Sequence, residues 1–469
     1  FYTSLTIDQP AHRSSLSRLG SWEAGWQNFS NSDVLLAVGY NPLVSSYGPA
    51  SGLQGTDPFV KLREAKDRGL KLIVIDPRKS ELANHADVWL QVKPGEDPAL
   101  LAAILNIILT SELHDKEFCQ EYVESDQLEL LRKSVAPFTA DYAAQRCEVA
   151  AADIHLAAET FASGPRGTAG SGTGPNMAPH GTLMETLALT LNVICGRVLR
   201  SGETLESPYM LFPGHTRRAQ VVPPSDPTPG ASHRVRGLRG LAGEMMTNAL
   251  NDEILLEGDG KVRALIVSGG NPIQAWPDQK KTLEALEDLE LLVVIDHRMT
   301  ATAELADYVF APRLQLERAD VPNVMDRRFP EVYTNYTDPI IVSGDDVLNE
   351  WEVYAGLAAR RGTPIVLPGG DLPVEETLSD GDVIDYVYAD ARLPISEWRK
   401  NRGVIHDKPI RVIDGDPDSD ARFAVSPPDV YEELLESISS NNFKIFSLLK
   451  EKNIKSVWHK INGNFLACI

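Results

Sequence analysis

Cysteine is scarce in this chain. Cys119, Cys147, Cys195 and Cys468 stand far apart among 469 residues, with no C-x-x-C pair. That spacing excludes a zinc knuckle and a locally encoded iron–sulfur site. Small buried hydrophobes are the expected role for all four, and such sparse use suits a reducing compartment. Long apolar runs are missing too. The most apolar stretch, Leu100 to Leu109, carries Asn106 and falls short of the ~20 residues that cross a bilayer, so a buried helix and no transmembrane segment are expected. Positive charge is in the minority: 66 Asp and Glu face 45 Lys and Arg, a formal net charge of −21. A phosphate backbone would be repelled, and no nucleic-acid partner is expected. No strand is followed by G-x-G-x-x-G, which counts against a plain nicotinamide dehydrogenase. Phe1 opens the chain with no charged leader ahead of an apolar core, so the sequence reads as part of a longer one. A cytoplasmic location is favoured, and periplasmic export stays open because a signal would lie upstream.

What is present is an ordered repeat. Val34–Val38 is an apolar strand ending in Gly39-Tyr40-Asn41-Pro42. A helix follows, with Asp57 as its cap, Pro58 in its first turn and Gly69 past its end. Strand Leu72–Ile75 closes on Asp76-Pro77-Arg78, and strand Val88–Val92 ends at Lys93-Pro94-Gly95-Glu96-Asp97, where Pro98 opens the apolar helix. Residues 262–320 run through the same order: strand Ala264–Val267, turn Gly269-Gly270-Asn271-Pro272, helix Thr282–Leu289, and strand Leu291–Ile295 closing on Asp296. Ala306-Asp307-Tyr308-Val309 then answers Ala86-Asp87-Val88-Trp89. Apolar runs alternating with helices predict an α/β fold with two Rossmann-like parallel-sheet units. Between them lie a helical region at 112–162, a glycine-rich passage from Gly164 to Gly174 and a helix from about Thr182 to Leu191. A further helix is expected over 343–360. The domain scheme expected is a first α/β domain with a helical insertion (1–200), a Pro-rich loop (201–240), a second α/β unit (241–365), an extension (366–438) and an atypical basic, foreign-looking tail (439–469).

Ligands of parallel α/β sheets bind beyond the carboxyl ends of the strands. Gly39, Asn41, Asp76, Arg78, Gly95 and Asp97 stand there in the first unit, and Gly269, Gly270, Asn271, Asp296 and His297 in the second. Glycine lets backbone N–H groups approach a pyrophosphate. An aspartate accepts two hydrogen bonds at once, which suits the adjacent donors of guanine or a ribose diol equally. Arg78 would neutralise a diphosphate or lie solvated on the surface. Each Asn-Pro and Asp-Pro also makes a turn, yet two copies at matching places favour a ligand.

The segments VLLAVGYNP and LIVIDPRKSELANHADVWLQVKPGEDPALLAAIL resemble the first guanine-dinucleotide segment of molybdopterin oxidoreductases. GSGTGPNMAPHGTLMETLALTLNVICGRVLRSG is similar to that family's glycine-rich loop and following helix, and ALIVSGGNP with LLVVIDHRMTATAELADYVFAP to its second dinucleotide segment. The resemblance implies a molybdenum or tungsten ion held by bis-molybdopterin guanine dinucleotide, with two-electron oxygen-atom or hydride transfer on a small substrate. It places Gly39, Asn41, Asp76, Pro77, Ser80, Gly95 and Asp97 on the first dinucleotide, Thr173, Gly174 and Met177 near a pterin, and Asn271, Ile295 and Asp296 on the second dinucleotide.

Family members commonly carry an N-terminal iron–sulfur domain and a C-terminal barrel, neither visible here. An iron–sulfur cluster is therefore expected only from a missing N-terminal domain, and an iron–sulfur electron-transfer subunit is the expected partner. Before the first strand TSLTIDQPAHR has no cysteine; Asp8 is the candidate metal ligand, or alternatively the cap of a helix beginning near Pro10. His12 and His180 are candidates for proton exchange near neutral pH, or alternatively satisfied structural histidines, the more common role. Glu317-Arg318-Ala319-Asp320 departs from the family phrase, which Asn323 and Arg327 partly restore. The alternatives carried forward are a non-catalytic scaffold or inactive fragment of this fold and a non-redox hydratase of the same family.

Overall fold

A computed structural model of the chain describes residues 1–27, 29–45, 57–205, 209–326, 333–401, 404–405 and 408–439. Strand β1 (Val34–Val38) has no polar position, and all five residues are buried. A strand without a solvent face must be covered on both sides, which is the environment of a parallel sheet. β1 pairs in parallel with β2 (Lys71–Ile75), and β2 with β3 (Val88–Leu90). On its other side β1 pairs in parallel with β4 (Gly167–Ser171), giving the order β3-β2-β1-β4.

Alternation along the strands divides the core. Leu35, Ala37, Leu72 and Val74 pack with Leu62 and Ala65, while Leu36, Val38, Ile73 and Ile75 face the larger apolar cluster. Helix α1 (Pro10–Leu19) lies ahead of β1, and α2 (Pro58–Asp67) joins β1 to β2. Asp57 caps α2 through Val60 N–H at 3.1 Å, as the sequence predicts. α3 (Asp97–Thr110) is buried from Asp97 to Leu109, and its one awkward amide, Asn106, donates to Phe138 O at 3.1 Å. α4 (Ala151–Ser163) leads into β4, and α5 (Gly181–Ile194) leaves it and packs against α1.

β4 is the strand concealed in the glycine-rich passage. Its sequence, Gly-Thr-Ala-Gly-Ser, has little strand propensity, and space explains the composition. A Cβ on Gly167 would lie 2.5 Å from Val34 Cγ1. On its open side Asn192 of α5 acts as a partner strand, accepting Ala169 N–H at 2.7 Å and donating to Ala169 O at 2.8 Å.

The second unit holds β5 (Ala264–Ser268), β6 (Leu291–Ile295) and β7 (Tyr308–Phe310), all parallel in the order β7-β6-β5. Helix α6 (Gln279–Glu287) is capped by Asp278 through Lys281 N–H at 3.2 Å, and both capping aspartates take positive φ, 53° and 59°. α7 (Glu350–Arg361) begins seven residues later than the expected 343, where the Asn349–Glu352 capping box can form. β3 stops at Leu90, two residues before the expected end, where Val92 N–H donates to Leu90 O at 2.9 Å in a tight backbone turn. Helix α8 (Pro428–Ser439) packs against α5. Cys119, Cys147 and Cys195 are buried free thiols, pushed up to about 12 by burial; Cys468 and Arg327 lie outside the described residues. No helix among the described residues is long and apolar enough to cross a membrane.

Candidate functional site

The repeat read in the sequence is reproduced bond by bond at the strand ends. Gly39 and Gly269 both have φ +60°, and their N–H groups donate to Ile75 O and Ile295 O at 2.8 and 2.9 Å. Asn41 Oδ1 accepts from Leu82 N–H at 3.3 Å; Asn271 Oδ1 accepts from Thr302 N–H at 3.4 Å and Oγ1 at 2.8 Å. Asp76 and Asp296 each accept the N–H two residues on, from Arg78 at 2.8 Å and Arg298 at 2.9 Å. Asp87 and Asp307 take Leu72 N–H and Leu292 N–H at 2.7 and 2.8 Å. Ser80 and Thr300 cap the turns that follow, on Ala83 N–H at 3.3 Å and Ala303 N–H at 3.1 Å. Each of these side chains therefore serves its own turn first. Asp76 and Asp296 still keep a second carboxylate oxygen with no hydrogen bond among the described residues.

Around the first edge, Pro77 O accepts Gln91 Nε2 at 3.1 Å, and the exposed Arg78 pairs with Glu81 at 3.3 Å. Asn41 Nδ2 also reaches Glu81, at 2.5 Å. Gly95 has φ +87° with open space where a Cβ would stand. Asp97, the first residue of α3, is buried. Its carboxyl is pushed up to about 6, chiefly by burial and further by the charges of Asp76 and Glu96, against the N–H donors of its own residue and Gly95. Glu96 is ion-paired with Arg146.

β4 delivers the glycine-rich segment to the same edge. Gly172 N–H donates to Val38 O at 2.8 Å, and a Cβ there would meet Gly39 O at 2.5 Å. Thr173 accepts from Gln9 Nε2 at 2.6 Å, Gly174 faces open space, and Met177 is exposed. Asn176 Nδ2 donates to Ser171 Oγ at 2.9 Å and Glu185 Oε2 at 3.1 Å, while its buried Oδ1 has no partner among the described residues. Glu185 also receives Ser171 Oγ on Oε2 and His12 Nδ1 on Oε1, the latter at 2.6 Å. Burial opposes the charge on Glu185, but these donors outweigh it and hold the carboxyl below its usual range.

The structure thus gathers Gly39, Asn41, Asp76, Pro77, Arg78, Ser80, Gly95, Asp97, Thr173 and Gly174 along one sheet edge, with His12 tied to it through Glu185. Asn271, Ile295 and Asp296 form the equivalent edge of the three-stranded sheet. Asp8 ends a single turn, Leu5–Asp8, and makes no cap bond to α1, whose N-cap is Gln9. Its carboxyl is raised by burial. Thr6 and Thr3 bind Thr247 at 3.1 and 2.6 Å, so the segment before α1 is strapped to the second half of the chain. His180, with φ +61°, is engaged by Glu433 of α8 at 3.2 Å, apart from the His12 cluster. Sequence reasoning missed Gln9, Ser171, Asn176 and Glu185. The signal for Glu185 was there: a lone carboxylate in the apolar run of α5 must be paired to be buried.

The molybdopterin oxidoreductase family profile matches residues 6–360. The chain is 26% identical over 369 residues to acetylene hydratase of Syntrophotalea acetylenica, covering 73% of this chain and 49% of that protein. It is 28% identical over 309 residues to the F420-dependent formate dehydrogenase subunit alpha of Methanocaldococcus jannaschii, covering 64% and 45%. Among solved structures, acetylene hydratase from Pelobacter acetylenicus superposes with TM-score 0.64 at 23% identity, covering 85% of this chain and 55% of that one. The chain spans about half the length of these curated relatives. With the profile covering more than half of its residues, the chain belongs to the molybdopterin oxidoreductase family.

Proposed function

We propose that this chain is the cofactor-gripping core of a molybdenum- or tungsten-dependent oxidoreductase that binds two pterin guanine dinucleotides, one per sheet edge. The observation that carries the reading is the duplication itself. Turn stability alone does not require Gly, Asn and Asp to recur with the same hydrogen bonds at the ends of two separate sheets. The residues fit such a group. Gly95, Gly174 and Gly269 face open space where a side chain could stand, and Asn176 Oδ1 is a buried acceptor awaiting a donor. Asp76 and Asp296 would hold the guanine ends through their second oxygens, and the N–H groups around Gly39 and Gly269 the phosphates. Asp97 would assist at the first edge. Thr173, Gly174 and Met177 would flank a pterin, and Asp8 would be the protein's ligand to the metal.

When bound, the cofactor supplies a metal that cycles by two electrons. The protein's own residues bind, orient and exchange protons. Among the described residues no group of three or more His, Cys, Asp or Glu is arranged to hold a metal. Several relatives are named as subunits of larger enzymes, so an iron–sulfur electron-transfer partner belongs to the proposal. A second reading, addition of water without net redox change, draws on the likeness to acetylene hydratase. Acetylene turnover with and without an artificial electron acceptor separates the two. The grip itself is tested by Asp76→Ala and Asp296→Ala: each should release about half of the bound guanine nucleotide, and full occupancy in both variants would sink the assignment.

A further inference from the structure

Glu185 is 3% exposed and binds three separate elements: α1 through His12, the end of β4 through Ser171, and the single helical turn Thr173–Asn176 through Asn176. Its two oxygens are unequal. Asn176 Nδ2 can only donate, so Oε2 must accept; Oε1 is left to His12 Nδ1 at 2.6 Å. An acceptor on Nδ1 puts the ring proton there and leaves a lone pair on Nε2. Nε2 has no hydrogen-bond partner among the described residues, and the ring is 39% exposed against 4% for the carboxylate. Three residues earlier Gln9 Nε2 holds Thr173 at 2.6 Å, so His12 is fixed beside the glycine-rich loop at two points.

We propose that Glu185 is the positioning residue that locks His12 as its Nδ1–H tautomer, leaving Nε2 as the atom that exchanges a proton at this sheet edge. What the proton serves rests on the cofactor reading above. In the step, an O–H bond of substrate or water breaks, its electron pair stays on oxygen, and the proton forms a bond to Nε2. The imidazolium charge sits against the Glu185 carboxylate until the proton leaves through the exposed face of the ring. The arrangement follows the logic of a buried carboxylate that orients a catalytic imidazole.

The test is long-range ¹⁵N–¹H correlation of histidine-labelled full-length protein, with His12 assigned among the 10 histidines by its absence in His12→Asn. Wild type should show the Nδ1–H pattern. Glu185→Gln should invert it: the glutamine carbonyl must face the Asn176 donor, so its NH₂ turns to His12 Nδ1 and pushes the proton to Nε2. Diethyl pyrocarbonate, which acylates an open imidazole nitrogen, should modify His12 in wild type and lose that reaction in the variant. An Nε2–H ring in wild type overturns the proposal even if the variant fails to fold, as do an unmodified wild-type His12 and an unchanged ring in a folded variant. Metal and guanine-nucleotide content of the same samples keeps the two ideas apart. Empty protein with the inverting ring retains the dyad and removes the cofactor reading; loaded protein with an unresponsive ring does the reverse.

Discussion

At the scale of residues, Asp97 is a carboxyl under opposing pulls. Its pKa rises from 3.8 in the unfolded reference to about 6, so the native state binds the proton more tightly than the unfolded chain. The sign follows: stability is highest below the unfolded value, falls as pH rises between the two, and stays reduced above the folded one. At about 1.4 kcal/mol per unit the penalty is about 3 kcal/mol at most. In cofactor-free protein Asp97→Asn should therefore gain on wild type between roughly pH 4 and pH 7, measured by urea denaturation. An equal difference at both pH values contradicts it. Two glycines separate packing from binding. Gly172→Ala forces a Cβ to 2.5 Å from Gly39 O and should cost about 2–4 kcal/mol. Gly174→Ala enters open space and should change stability by less than about 0.5 kcal/mol while lowering guanine-nucleotide content. Thermal melting and nucleotide release read both; a destabilised Gly174→Ala would refute the distinction.

Elements were legible in proportion to how apolar they are. β1 and β6 stand where the sequence puts them, because an all-apolar pentapeptide bounded by turn residues has few other solutions. The α2 cap was equally plain. β4 was hidden, since its residues were chosen for smallness against Val34 and its outer edge is closed by a side chain, Asn192, far along the chain. The same contrast holds at the site. Strand-end Asn and Asp were visible through duplication, whereas the Glu185 cluster joins residues from α1, β4 and α5 that no local pattern connects. The strand-end asparagines carry an element-level prediction. Asn41→Ala and Asn271→Ala each remove the tie between one turn and the next and should each cost about 1–2 kcal/mol. Acting on different sheets, they should add within about 0.5 kcal/mol in the double variant; strong non-additivity in denaturant titrations would show the edges to be coupled.

On the scale of the whole molecule, the stretch carrying Asp8 is held from both sides. Thr3 and Thr6 fasten it to Thr247, and Gln9 and His12 fasten it to the first sheet edge. Thr247→Val keeps the volume and the backbone N–H bond to Thr6 Oγ1 but removes the hydroxyl that bonds Thr6 Oγ1 and Thr3 O, a loss of about 0.5–1.5 kcal/mol localised at the strap. Hydrogen exchange of the peptide covering residues 1–9 should quicken in that variant while α3 and α5 stay protected, and unchanged exchange in that peptide would show that Thr247 does not hold it. If Asp8 is the protein's metal ligand, metal content should fall with it.

In the function proposed here, two equivalent strand-end constellations grip two dinucleotides around one metal. The most direct test is inductively coupled plasma mass spectrometry of protein produced with molybdate and tungstate, together with quantification of guanine nucleotide released on denaturation. Near-stoichiometric molybdenum or tungsten and about two guanine nucleotides per chain, one for each repeat, are expected. Protein carrying neither metal nor nucleotide would contradict that function and mark this chain as a scaffold that keeps the fold without the cofactor.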